Sequence, residues 1–103
     1  MTEIEQLPAL EATPHANVFP SSEPKTVRLT LDAGEGVDPH THPDRDIVLY
    51  LVDGAIDLEL DGEHHSVEEG DIARFDGERE ISPVARERSV ALVVLAERAE
   101  AEG

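Results

Sequence analysis

Hydrophobic and polar positions alternate in two stretches of this chain, and in two others the hydrophobic run is unbroken. Val27, Leu29 and Leu31 alternate with Arg28, Thr30 and Asp32, and Ile56, Leu58 and Leu60 alternate with Asp57, Glu59 and Asp61. A period of two sends successive side chains to opposite faces of an extended backbone, so each stretch predicts a half-buried strand. Ile47 to Val52 and Val90 to Leu95 are apolar throughout, which predicts strands covered on both faces. Shorter strands are expected through Val67 and around Ile72 and Phe75. Asp53-Gly54, Asp61-Gly62, Glu69-Gly70 and Asp76-Gly77 punctuate them as turns, with Asp61-Gly62 the strongest hairpin signal. Roughly six to eight short strands, with turn signals about every 8–12 residues and no long helix, predict an all-β antiparallel barrel or sandwich.

The chain divides by composition. Residues 1–24 hold Pro8, Pro14, Pro20 and Pro24, which predicts an extended arm with at most a short strand, anchored by Leu7, Leu10, Val18 and Phe19. Residues 25–96 form the barrel, and residues 97–103 have a helix-forming composition but are too few to hold a helix, so a frayed tail is expected. The length, 103 residues, corresponds to one domain. The strands that are apolar on both faces need an outer cover. A second copy of the chain is the simplest, which predicts a homodimer; the alternative cover is the arm.

Charge changes the picture further. Asp and Glu number 24 against 8 Lys and Arg, a formal net charge of -16, and Lys25 is the single lysine. Such a surface repels nucleic-acid phosphates and anionic membranes, so neither is an expected partner. Acids spread along a patterned chain suggest a protein of a halophile. Carboxylates that repel one another in dilute buffer are screened in molar salt, where the Debye length is about 3 Å. Thermal melts are therefore expected to rise between dilute buffer and molar KCl; a midpoint that does not move rejects this reading. There is no cysteine, so disulfides and thiolate zinc sites are excluded. No apolar run approaches the roughly 20 residues of a membrane span. Residues 1–5 lack the basic start and apolar stretch of a signal peptide, which makes the cytoplasm the expected location.

The candidate chemistry lies between Gly34 and Gly54. His40 and His42 are two residues apart, so on an extended backbone both imidazoles project to one face, where they can chelate a divalent ion. Pro39 and Pro43 flank the pair and fix its backbone, and Asp46 is a candidate carboxylate ligand. No serine lies in a nucleophile elbow and no glycine loop is built for phosphate. His65 shares strand parity with Val67 and is expected to point inward, His15 is expected to be solvent exposed, Tyr50 to be core, and Arg74 to face outward.

This stretch resembles the first motif of the cupin superfamily, G-x5-H-x-H-x3,4-E-x6-G. Gly34, His40, His42 and Gly54 match it, while the glutamate position falls on Ile47, one residue from Asp46. The second motif opens at Gly70-Asp71; its histidine position falls on Ile81, or on Glu80 if Gly77 is taken as its second glycine. The resemblance covers roughly residues 25–96. It implies a small jelly-roll barrel holding a divalent metal (Fe, Mn, Ni, Cu or Zn) at His40 and His42, with Asp46, and with Glu80 as a substitute for the second-motif histidine, and a small-molecule ligand. A metal-dependent oxygenase or isomerase is one implied function; a non-catalytic cupin that binds or senses a ligand is the alternative. The fold itself does not select between them.

Overall fold

The computed structural model describes residues 2–98. Eight strands form it: β1 (His15–Asn17), β2 (Lys25–Leu31), β3 (Arg45–Asp53), β4 (Ala55–Leu60), β5 (Glu63–Glu68), β6 (Ile72–Asp76), β7 (Ile81–Ala85) and β8 (Ser89–Glu97). A single 3₁₀ turn, Leu7–Ala9, precedes them. One antiparallel sheet has the order β1-β2-β8-β3-β6 and the other β5-β4-β7. The two face each other across a core whose most deeply buried side chains are Leu31, Ile47, Leu51, Ile56 and Leu58. This is a jelly-roll sandwich, and the sheets do not close into the barrel that the sequence leaves open as one of two forms. On one side they are bridged by the segment 36–43, which leaves β7 at Gly36↔Val84 and His40↔Ile81 and runs on into β3.

Local chemistry explains most elements. In β4 the alternation of Ile56, Leu58 and Leu60 with Asp57 and Glu59 is reproduced as alternating burial. It turns into β5 through Asp61-Gly62, both with positive φ (51° and 83°), the conformation of a two-residue type I′ hairpin. Gly54 has φ +97° and packs so closely on Ser89 and the Arg88 carbonyl that a side chain there has no room. Strand β7, which carries Pro83, escapes the sequence patterns. Proline is tolerated because β7 lies at the sheet margin and the Pro83 carbonyl still accepts from Val37 N–H at 3.0 Å.

Burial departs from the sequence pattern at three places. β2 is not half-buried: Thr26, Arg28 and Thr30 are buried along with Val27, Leu29 and Leu31, because the N-terminal arm crosses its outer face. The outer faces of β3 and β8 are covered only in part. Val48, Leu92 and Val94 are half-buried, whereas Tyr50 is 41% and Val52 38% exposed. Tyr50 is therefore an outer-face residue rather than core. The parity of Tyr50 with Val48 sets its direction, and two uninterrupted apolar faces conceal that parity in the sequence. β8 extends through Glu97, opposite Arg45, so the sheet includes the first residue of the expected tail; residues 99–103 of that tail lie outside the described residues.

Candidate functional site

The segment 36–43 delivers the two histidines. Its backbone is fixed to β7 and to the β6–β7 turn. His40 N–H donates to the Ile81 carbonyl (3.1 Å), Ile81 N–H donates back (2.8 Å), and His42 N–H donates to the Gly77 carbonyl (2.7 Å). Ser82 Oγ donates to the Val37 carbonyl at 3.0 Å, securing the approach. Held in this way, the rings of His40 and His42 lie edge to face with centroids 4.8 Å apart. His40 Nδ1 is 2.8 Å from the Asp38 carbonyl. A carbonyl only accepts, so Nδ1 carries the hydrogen, and in the neutral ring the lone pair is on Nε2.

Both rings border a cavity of about 450 Å³ between the sheets. Its walls are apolar: Val27 and Leu29 from β2, Ile47 and Leu49 from β3, Phe75 from β6, and Val93 and Leu95 from β8. Its open end carries the exposed residues His15, Asn17, Lys25 and Asp38 beside the half-buried pair. Burial pushes His42 below the usual imidazole range, and positive charge on His40, Lys25, Arg45 and His15 pushes the same way. His15 is lowered by burial, then by His40 and Lys25. The His15 and His42 rings are thus held toward the neutral form, free to donate and accept hydrogen bonds.

Residues 27–95 match the family model described as Cupin domain. The chain belongs to the cupin family. No curated protein matches it. Among solved structures it is similar to KdgF from a Halomonas species, with 27% identity over 84% of this chain and 79% of the other and a TM-score of 0.70. It is also similar to TT1209 from Thermus thermophilus, at 24% identity over 95% and 100% of the two chains and a TM-score of 0.81. A third relative is the cupin domain of an XRE family transcriptional regulator from Enterobacter cloacae, at 14% identity, 82% and 96% coverage and a TM-score of 0.74. The last two likenesses concern the fold alone.

The cupin brings His40 and His42 together but not the other expected ligands. Asp46 shares β3 parity with Val48 and Tyr50, so it stands on the outer face, where its carboxylate meets Arg98 (3.3 Å) and Arg74 (3.4 Å). The cavity is on the other face, lined by Ile47 and Leu49. Glu80 is exposed in the β6–β7 turn, where its N–H donates to Asp61 Oδ1 at 2.8 Å. Ile81, one residue on, lines the cavity instead, so an alkyl group stands where the second cupin motif carries histidine. Among the described residues no group of three or more histidines and carboxylates is arranged to hold a metal ion.

Other side chains sort themselves by partner. His65 does not pack inward: it lies on β5, a sheet-edge strand, with 44% of its side chain exposed and Glu63 at 3.0 Å. His64 is bound to Asp57 at 2.7 Å, which raises its pKa. Arg74 faces outward, as its flanking residues predict. Sequence reasoning misses His15, Asn17 and Lys25 as cavity residues. The register His15↔Leu29 and Asn17↔Val27 puts β1 side chains on the same face as the cavity wall, but a three-residue strand inside a proline-rich arm carries no periodic signal.

Proposed function

We propose that this cupin is a small-molecule-binding domain, and that its ligand occupies the cavity between the sheets with a polar group turned toward His40 and His42. The observation that carries this is the combination of an apolar bowl of about 450 Å³ with two adjacent imidazoles at its opening. That volume is ordinary for a ligand site, and a few polar groups on apolar walls are what orients a ligand. The donor set favours binding over chemistry at a resident metal. Asp46 is turned away, isoleucine stands at position 81, and among the described residues no third histidine or carboxylate joins His40 and His42 in a group arranged to hold an ion, which does not fit a two-histidine, one-carboxylate centre.

The second reading, a metal-dependent oxygenase or isomerase, is favoured by one observation. The Asp38 carbonyl fixes His40 in the tautomer with its Nε2 lone pair free, the arrangement by which a second shell prepares a ligand imidazole. Elemental analysis of protein purified in molar salt separates the two. Binding without a resident metal predicts substoichiometric Fe, Mn, Ni, Cu and Zn. One metal per chain, lost in the His40→Ala and His42→Ala variants, replaces the first reading with the second.

We also propose that two copies pair through the outer face of the larger sheet, in a protein adapted to a salt-rich cytoplasm. Val48, Tyr50, Ile72, Leu92 and Val94 are cross-strand neighbours there, and Ile72 is 68% exposed. None of these five is acidic in a chain of net charge -16, and the acids beside them, Asp46 and Asp76, are paired with Arg74 and Arg98, so repulsion between two copies is reduced there. Sedimentation in molar KCl is expected to give a dimer, and Ile72→Glu a monomer; a wild-type monomer at high concentration overturns the pairing.

A further inference from the structure

The open end of the cavity is rich in hydrogen-bond donors and poor in acids compared with the rest of the surface. His15 and Asn17 come from β1, Lys25 from the start of β2, and His40 and His42 from the bridging segment. Beyond burial, the groups that lower His15 and His42 are basic, Lys25 and Arg45 and the neighbouring imidazoles, in a chain carrying 24 acids. The nearby Glu23 carboxylate is bonded to Arg45 at 2.7 Å, with the Lys25 backbone N–H and charge as weaker influences on it. Asp38 is the one acidic residue lining this opening among the described residues, and its carbonyl holds His40. Arg45, Arg74, Arg79, Arg88 and Arg98 each pair with a carboxylate, whereas Lys25, the single lysine, pairs with none among the described residues.

We propose that the ligand of this cavity is a small amphipathic carboxylate, its acid group held at the opening by Lys25, Asn17 and His15 and its hydrocarbon lying between the sheets. The proposal rests on the reading of the cavity as a ligand site and names the class of ligand. An ammonium, an amide NH₂ and a neutral imidazole N–H all donate, and a carboxylate is the acceptor-only group that satisfies several donors at once. A charge-assisted bond at the edge of an apolar cavity is stronger than the same bond in water. A neutral alcohol of the same length fills the bowl equally well but leaves the ammonium to solvent.

Calorimetric titration of the full chain in molar KCl at neutral pH, with octanoate and with 1-octanol, tests this. Octanoate is expected to bind about tenfold more tightly than the alcohol. Lys25→Met is expected to bring octanoate down to the alcohol's affinity and to leave the alcohol unchanged. Lys25 is exposed at the start of its strand, and circular dichroism checks that the variant keeps its fold. Equal binding of the two probes by the wild type, or octanoate binding indifferent to Lys25→Met, overturns the carboxylate anchor while leaving the cavity as a ligand site. Binding of neither probe overturns the cavity reading with it.

Discussion

Replacing Arg28 with methionine is expected to strip the N-terminal arm from the sandwich and to cost about 2–4 kcal/mol of stability. Arg28 is 6% exposed on the outer face of β2 and has no carboxylate partner among the described residues. Its guanidinium instead donates to three carbonyls of the arm, those of Leu7 (2.7 Å), Leu10 (3.0 Å) and Ala12 (3.1 Å). Each such bond to a charged donor contributes about 1.5–3 kcal/mol, offset by the cost of desolvating the cation, whose Nε has no partner. The planar fork spans carbonyls that an ammonium cannot all reach, so Arg28→Lys is expected to recover only part of the loss. The melting midpoint should fall by roughly 10 °C or more. A Glu-specific protease should cut at Glu11 faster than in the wild type. Unchanged melting and unchanged cleavage would show the hook to be idle. The consequence reaches the cavity, because the same arm leads into β1 and so sets His15 and Asn17 at its opening.

Gly77→Ala is expected to cost about 1–3 kcal/mol and, separately, to displace His42. The constraint at Gly77 is space. A Cβ would fall onto the carbonyl oxygens of His42 and Arg45, both backbone atoms that cannot swing aside. Those contacts exist because Gly77 N–H donates to the Arg45 carbonyl at 2.8 Å and its own carbonyl accepts from His42 N–H. The methyl therefore pries apart the two strands of backbone that hold the pair. Gly70→Ala serves as the control. Its φ of +91° makes alanine strained, at about 1 kcal/mol, but nothing lies within reach of the new methyl and Gly70 does not line the cavity. Imidazole ¹H–¹⁵N spectra should show His40 and His42 moving in Gly77→Ala and staying in place in Gly70→Ala. Equal shifts in both would sever the link between Gly77 and the site.

The parts of the fold legible in the sequence were those governed by side-chain parity against a single core. β4 follows from Ile56, Leu58 and Leu60, its hairpin from Asp61-Gly62, and the adjacency of His40 and His42 from their spacing. Parity failed where both faces of a strand are apolar. Ile47 to Val52 does not say which side is inward, so Asp46 had no assignable face, and only packing against β8 and β6 turns it to Arg74 and Arg98. It failed at β5 for a different reason: an edge strand lets His65 share parity with Val67 and still reach solvent. The contributions of Arg28 and of His15 are long-range, one joining β2 to residues 7–12 and the other joining an arm to a cavity, and no local pattern encodes either.

The account turns on where a ligand goes, and the alternation of β3 and β8 supplies a direct readout. Leu29, Leu49, Val93 and Leu95 line the cavity, while Val48, Leu92 and Val94 stand on the opposite face of the same strands. Methyl ¹H–¹³C spectra recorded during an octanoate titration in molar KCl should shift the first set, saturate, and leave the second set still. Shifts confined to Val48, Leu92 and Val94, with the inner methyls unmoved, would place binding on the outer sheet and contradict a functional cavity between the sheets.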